Sequence, residues 1–193
     1  VYKRPYRVTT DSAHHKPIAP NVLDRRFDGW CVNQAWVADI TYIATGEGWL
    51  YLAVIMDLAS RRIVGWSMSE RIKAELVCQA LQSAYWRRKP AAGLIMHSDR
   101  GSQYASATHR QLIKDYGMIQ SMSRRANCWD NAPMESFFKT LKVERTHRLR
   151  YDTRAIAKLD IVDWIEGFYN RRRIHSSIGY QTPAAVESSL MAA

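Results

Sequence analysis

The sequence predicts a mixed α/β domain: a five-stranded sheet, opened by an antiparallel meander and flanked by helices. Three observations carry this. Three apolar, β-branched runs follow one another between residues 36 and 69. Beyond residue 71 the hydrophobic period lengthens from two to between three and four, and short apolar runs then alternate with helical stretches. The chain has 193 residues, 47% of them apolar and seven of them Trp, enough for one substantial core and unlike a disordered chain.

Residues 1–33 carry Pro5, Pro17, Pro20 and scattered charges without a sustained period, which predicts an extended N-terminal linker or arm. Residues 34–193 then form the core, with a C-terminal helical extension. "WVADITYIA" alternates as a first strand, "WLYLAVIMDLAS" is the second and "RRIVGWSMS" the third, joined at "GEG" and "LASRR". Ala74, Val77, Leu81 and Ala84 recur at helical spacing, with Arg87 and Arg88 near the opposite face, and Pro90 ends that helix. "GLIMHS" is a fourth strand, "SATHRQLIKDYG" a helix closed by Gly117, and "MIQSM" a short fifth strand.

"SRRANCWDNAP" is polar and without period, a loop by composition. A long helix starts at Pro133, tolerated in a first turn, and buries Met134, Phe137, Phe138 and Leu141. Another covers roughly 153–170, with Ile161, Trp164, Ile165 and Phe168 on one face. The end, "RRRIHSSIGYQTPAAV", reads as basic and then irregular. This order of elements is that of the ribonuclease H-like fold.

Charge narrows the partner. With 28 Lys+Arg against 18 Asp+Glu the formal net charge is +10, which points to an anionic partner, nucleic acid first, with an indifferent basic surface as the other reading. Cys31, Cys78 and Cys128 are too far apart for a disulfide framework or a zinc pair, and a reducing cytoplasm suits them. No Cys or His pair completes His14-His15 as a zinc site, so they read as loop residues. No run approaches the ~20 apolar residues of a membrane span, so no membrane is expected.

Three carboxylates stand out. Asp39 lies mid-strand between Val37 and Ile40, where a turn is excluded and an unpaired charge is costly; hydrogen bonding to local backbone is the alternative. Asp99 ends the fourth strand in "MHSDRGSQY", followed by the small residues Gly101 and Ser102. Glu135 shares a helix face with Lys139 and Lys142, since seven residues make nearly two turns; an ordinary Glu135–Lys139 surface pair is the plainer account. Asp57, also at a strand end, reads as a turn residue. Three acids without His or Cys partners suit hard cations such as Mg²⁺ or Mn²⁺, two of which serve phosphoryl transfer.

Taken with the motifs "WVADITYI", "GWLYLAVIMDLASRRIVGWSM", "HSDRGSQY", "NCWDNAPMESFFKTLKVE" and "YNRRRIHSSIGYQTP", the chain resembles the catalytic core of DDE transposases of the retroviral-integrase superfamily. The likeness is nearest to the second-reading-frame product of insertion sequence family three elements. Thirty-five residues between Asp99 and Glu135, and Lys142 seven positions after the glutamate, match that family's spacing. The resemblance implies that Asp39, Asp99 and Glu135 are the catalytic, metal-binding triad, holding two Mg²⁺ or Mn²⁺ ions. Water or a DNA 3′-hydroxyl would attack a phosphodiester in line, without a covalent enzyme intermediate.

Lys139 and Lys142 are expected at DNA phosphate, Arg124 and Arg125 on the backbone, and Trp129 on an unpaired base; Arg172, in the run Arg171 to Arg173 with His175, is a further DNA contact, with a solvated helix end as the alternative. For Trp129, anchoring the loop to the core is an equal alternative. Asp130 and Asn131 read as turn or N-cap residues, and His97 as a strand-end residue. The implied partners are the element's ends and target DNA, with a homo-oligomer in the full transposition complex, in the bacterial cytoplasm at the nucleoid. Family members carry upstream helix-turn-helix segments. None is visible in residues 1–35 and the chain opens on Val1, so a core parted from its DNA-recognition segment is expected. A ribonuclease of the same fold and a non-catalytic DNA-binding module are the competing readings.

Overall fold

Side-chain alternation along one strand sorts the molecule into layers. In β1 (Ala35–Thr45), Ala35, Val37 and Ile43 face one apolar cluster while Trp36, Ala38 and Ile40 face another. In the computed structural model, which describes residues 14–125 and 127–192, β1 is the central strand of five, in the order β3-β2-β1-β4-β5. β2 (Gly48–Asp57) and β3 (Ile63–Ser69) extend the sheet antiparallel; β4 (Ile95–Ser98) and β5 (Ile119–Met122) extend it parallel. The mixed five-stranded sheet opened by a meander is therefore the fold that the sequence predicts.

On the Trp36 face lie α1 (Ala74–Arg88) and α2 (Ala107–Asp115). α1 sits directly on β3 because Gly65 has no side chain: a Cβ there would meet the Ala80 carbonyl oxygen and the Ala84 Cβ, both at 2.6 Å. Ser106 caps α2 by accepting from the His109 N–H, and Gly117, at φ +62°, turns the chain out of it. On the Val37 face lie α3 (Ala132–Leu141) and α4 (Arg154–Asp163). Met134, Phe137, Phe138 and Leu141 are buried there as their spacing requires, each large side chain worth about 1.5–3 kcal/mol of burial.

Two expectations need correction. The helix predicted over 153–170 is α-helical only to Asp163; Trp164–Tyr169 is a π turn. The wider turn rotates the later side chains, so Phe168 is 40% exposed and Tyr169, at 2%, takes the inward place. The stretch read as irregular holds a 3₁₀ turn, Ser176–Ile178, and a helix, α5 (Pro183–Ala192). α5 is seated by buried Glu187 on Arg62 and Arg88 rather than by an apolar stripe, so hydrophobic periodicity could not announce it.

Residues 14–33 form no helix or strand, yet they are tied to the core. Leu23 is fully buried, and the Val22 and Leu23 N–H groups donate to Ser121 Oγ at 2.9 and 3.1 Å. The expected arm's first thirteen residues lie outside the described part. No helix among the described residues is long and apolar enough to cross a membrane.

Candidate active site

Strand register brings two of the acids together. β1 and β4 pair in parallel with Ala38 opposite Ser98 as the last rung, so Asp39 and Asp99 are the next residues along adjacent strands. Adjacent strands are about 4.8 Å apart and paired residues share a face. That face is the one on which Val37 and Ile95 meet α3. α3 then carries Glu135 and Lys139, and the π turn that follows it, Lys142–Thr146, carries Lys142, to the same cleft, a hollow of ≈ 440 Å³ that Asp39 and Phe138 also line.

The electrostatics report the convergence. Burial pushes the Asp39 carboxyl well above its usual range, the charge of Asp99 pushes it further, and Glu135 adds to this. An N–H from Ile40 at 2.7 Å and the Lys142 ammonium oppose the shift without cancelling it. The backbone hydrogen bond allowed for Asp39 from the sequence is thus present, but it does not explain the residue. Partial burial also raises Glu135 and lowers Lys142, whose Nζ lies 4.8 Å from the Tyr42 ring centroid.

Asp99 accepts from the Gly101 N–H at 2.9 Å, which fixes the turn after β4. A Cβ on Gly101 would stand 3.0 Å from Asp99 Oδ1 and 3.1 Å from Gln103 Oε1, so the small residue leaves the carboxylate its place. Tyr104, buried in the same turn, has its hydroxyl raised by burial and then by Asp39 and Asp99. Asp57 is the turn residue expected of it: it accepts from Asn33 N, Ala59 N and Trp36 Nε1.

Among the described residues no three His, Cys, Asp or Glu side chains stand together closely enough to hold one ion. The donor set nevertheless fits hard cations. It is all-oxygen, and its crowding of like charges is relieved by a cation.

The remaining candidates divide. Trp129 is 67% exposed, so it does not anchor its loop to the core, and Arg125, Lys139 and Arg172 are exposed. The Arg124 guanidinium, by contrast, lies on Asp130, with Nε–H and an Nη2 N–H donating at 3.0 and 2.8 Å. Asp130 is fully buried and also takes Arg25 and Asn21; Arg124 first, and then Arg25, hold its carboxyl well below the usual range. It is a knot between arm and loop rather than a cap. Asn131 makes no capping bond either; its amide donates to the Ala38 carbonyl at 3.1 Å, beside Asp39. His97 is wholly buried between Ser121 and Ser123, which removes it from any surface contact.

Sequence reasoning did not find the arm's contacts with the Asp99 turn. His14 Nε2 bonds the Arg100 carbonyl at 2.9 Å and Lys16 Nζ donates to the Ser102 carbonyl at 2.8 Å. The acceptors are backbone, so no residue pattern marks them.

An integrase core domain family model matches residues 30–128, and a second, also of an integrase core domain, matches residues 116–183. The chain is 50% identical over 183 residues to the uncharacterized 31 kDa protein of insertion element IS600 from Shigella sonnei, covering 95% of this chain and 67% of that protein. It is 46% identical over 180 residues to the InsF transposase of insertion sequence IS3A from Escherichia coli (strain K12), covering 93% and 62%. The chain thus spans about two thirds of the length of these relatives. Among solved structures, an intasome chain of simian T-cell lymphotropic virus superposes with a TM-score of 0.67 at 16% identity, over 93% of this chain and 61% of that one. The HTLV-2 integrase catalytic core domain in complex with magnesium gives 0.63 at 15%, over 83% and 99%. At such identities these two show a shared fold.

Proposed function

The chain belongs to the integrase core family, as a DDE-type member matching insertion-sequence transposases, and on that premise we propose that it is a transposase catalytic core that cuts and joins DNA. The observation that carries the reading is the crowding of Asp39 by the charges of Asp99 and Glu135, with Asp39, Glu135 and Lys142 lining one cleft. A cluster of like charges around a desolvated carboxyl costs stability and serves the fold nothing. It supports a site made to receive cations.

Asp39, Asp99 and Glu135 would hold two divalent ions, Mg²⁺ or Mn²⁺; the magnesium bound by the HTLV-2 core supports the choice. When bound, such ions activate the attacking oxygen and stabilise the departing one in an in-line displacement. The chain's own residues do the rest. Lys142, beside Asp39, and Lys139, one turn before it, take phosphate oxygens flanking the scissile bond. Trp129 stacks on an unpaired base, and Arg125 and Arg172 follow the backbone. Arg124 positions the loop through Asp130. The Gly101 N–H orients Asp99, and the Asn131 amide fixes the strand that carries Asp39. Water attacks when an end is cleaved, and a DNA 3′-hydroxyl attacks when an end is joined; in each case a P–O bond breaks opposite the nucleophile.

Residues 1–33 are read as an extended N-terminal linker or arm and residues 34–193 as the core. The intasome and dimeric core structures that share its fold support DNA as partner and a homo-oligomer as the working state; the bacterial relatives support a place in the bacterial cytoplasm, at the nucleoid where the DNA lies. Strand transfer from a pre-cut end oligonucleotide, in Mn²⁺, is the test. Wild type should join ends to target and Asp99→Asn should not; activity retained by the variant would overturn the assignment.

A further inference from the structure

The side of α3 that faces the triad continues past the end of the helix. Glu135, Lys139 and Lys142 follow one another at i, i+4 and i+7. An unbroken α-helix would set Thr146 next on that side, since eleven residues make about three turns. His147 stands there instead. The π turn Lys142–Thr146 takes in one extra residue, and its closing bond runs from the His147 N–H to the Lys142 carbonyl at 2.8 Å. His147 thus follows Lys142 by one turn, and it lines the same ≈ 440 Å³ cleft as Asp39, Glu135, Lys139 and Lys142.

The turn also sorts the charges around it. Its one acid, Glu144, takes the Arg173 guanidinium through bonds of 2.7 to 3.1 Å. Arg145 is spent on Asp160, with its Nε–H donating at 3.0 Å. Arg148 folds back on the turn, its Nε donating to the Val143 carbonyl at 2.9 Å. What this stretch presents to the cleft is therefore Lys142, Val143 and His147.

Of the two basic groups, Lys142 is committed inward. It is half-buried, its Nζ lies 4.8 Å from the Tyr42 ring centroid, and the charge of Asp39 acts on it. His147 is exposed, so a strand lying in the cleft reaches its ring without disturbing the core. An imidazole keeps an N–H to donate in either neutral tautomer and when protonated. Val143, 51% exposed, and Tyr42 give the same cleft an apolar flank against which a deoxyribose can pack.

We propose that His147 is a further DNA-contacting residue of this cleft, its imidazole N–H donating to an oxygen of the next phosphate outward from the one on Lys142. A turn of helix advances about 5 Å, the scale of the step between successive phosphates on a strand. The π turn is the device that sets the ring in line with the lysines. The choice of DNA rests on the proposed function.

The test measures binding of the full chain to a short duplex with a pre-cut end, by fluorescence anisotropy in Ca²⁺, a hard cation for the same oxygen ligands. Single methylphosphonates, each removing one phosphate's charge, are scanned along the transferred strand. His147→Ala should bind about tenfold more weakly, and His147→Arg should restore the affinity. One methylphosphonate should weaken wild type yet leave His147→Ala unchanged, at a position different from the one to which Lys142→Gln is insensitive. A Tm within about 2 °C of wild type separates a lost contact from a lost fold. Binding by His147→Ala equal to that of wild type would overturn the proposal and return the imidazole to a solvated helix end. Penalties that add at every position, or one position shared with Lys142, would overturn it as well. Binding is read here without joining, so a failure of strand transfer in Mn²⁺ counts against the proposed function and not against this contact.

Discussion

Asp99 stands abreast of Asp39, one residue beyond the Ala38–Ser98 rung, and its charge raises the Asp39 carboxyl more than Glu135 does. The two are brought together by the sheet itself, as parallel neighbours whose side chains must share a face. The repulsion is therefore built into the fold and cannot relax by a change of rotamer alone.

Removing that repulsion should stabilise the metal-free protein while ending its activity. Asp99→Asn is expected to gain up to about 1 kcal/mol, the scale of like charges directly opposed across strands, and so to raise Tm by about 2–4 °C for a chain of this size. Mn²⁺ should raise the Tm of wild type and leave that of the variant nearly unchanged. Thermal melts with chelator and with Mn²⁺ measure both. A variant that melts lower than wild type in chelator would show that the carboxylates are not in conflict.

Gly101→Ala tests the turn that holds Asp99. The added methyl stands 3.0 Å from Asp99 Oδ1, a little inside ordinary contact, so the carboxylate has to shift by a few tenths of an ångström rather than the chain unfold. Strand transfer should fall at least tenfold, about 1.4 kcal/mol in barrier, with Tm within about 2 °C of wild type. Equal loss of both would assign Gly101 to folding instead of positioning.

The site was legible where it depends on period and spacing. β1 and β4 were apparent from their apolar residues, and an acid in each marks their shared edge; a seven-residue interval puts Glu135 and Lys142 on one helix face. It was not legible where side chains meet across long separations. Asp130 sits in a stretch rich in turn formers, and nothing local shows that Arg25, 105 residues away, reaches it at 2.7 Å. Arg124, two residues from the end of β5, looks like any loop arginine until that buried acid is seen. Phe168 and Tyr169 exchanged places because a π turn keeps helical composition while changing the phase. α5 escaped because two arginines and Glu187 seat it, and ion pairs have no period.

Lys139 and Trp129 should separate electrostatic from stacking contributions to DNA binding. Lys139 is exposed on the cleft's rim, so Lys139→Gln should weaken binding to all sequences and reduce the slope of log K against log salt by about 0.7 to 0.9. Trp129→Ala should leave that slope alone and cost about 1–3 kcal/mol on substrates with an unpaired base at the end. Fluorescence anisotropy at several salt concentrations, on blunt and frayed ends, distinguishes the two. A changed slope with Trp129→Ala, or none with Lys139→Gln, would reverse the roles.

The arm's attachment should be acid-labile through His97. Ser121 Oγ accepts the Val22 and Leu23 N–H groups, so its own proton turns to His97 Nδ1 at 2.9 Å, leaving the imidazole proton on Nε2, 3.2 Å from Ser123 Oγ. Protonating Nδ1 would set N–H against O–H and break that relay. Burial accordingly holds His97 down at about 4 against 6.5 when exposed. Between those values the unfolded chain binds a proton that the folded one refuses, so stability is complete above about pH 6.5 and falls as pH drops toward 4, by roughly 3 kcal/mol from this group. Buried His109, also near 4, acts in the same sense, whereas Asp39, raised in the folded state, acts in the opposite one. His97→Gln isolates the term: it should be less stable than wild type at pH 7.5, yet lose less stability between pH 7.5 and 5 in denaturant melts. Protection factors of the Val22 and Leu23 amides, corrected for the slower intrinsic exchange in acid, should fall in wild type over the same interval, ahead of the sheet, because these two bonds rest on Ser121. An arm that stays protected at pH 5 while the rest of the protein loosens would show that the relay does not hold it.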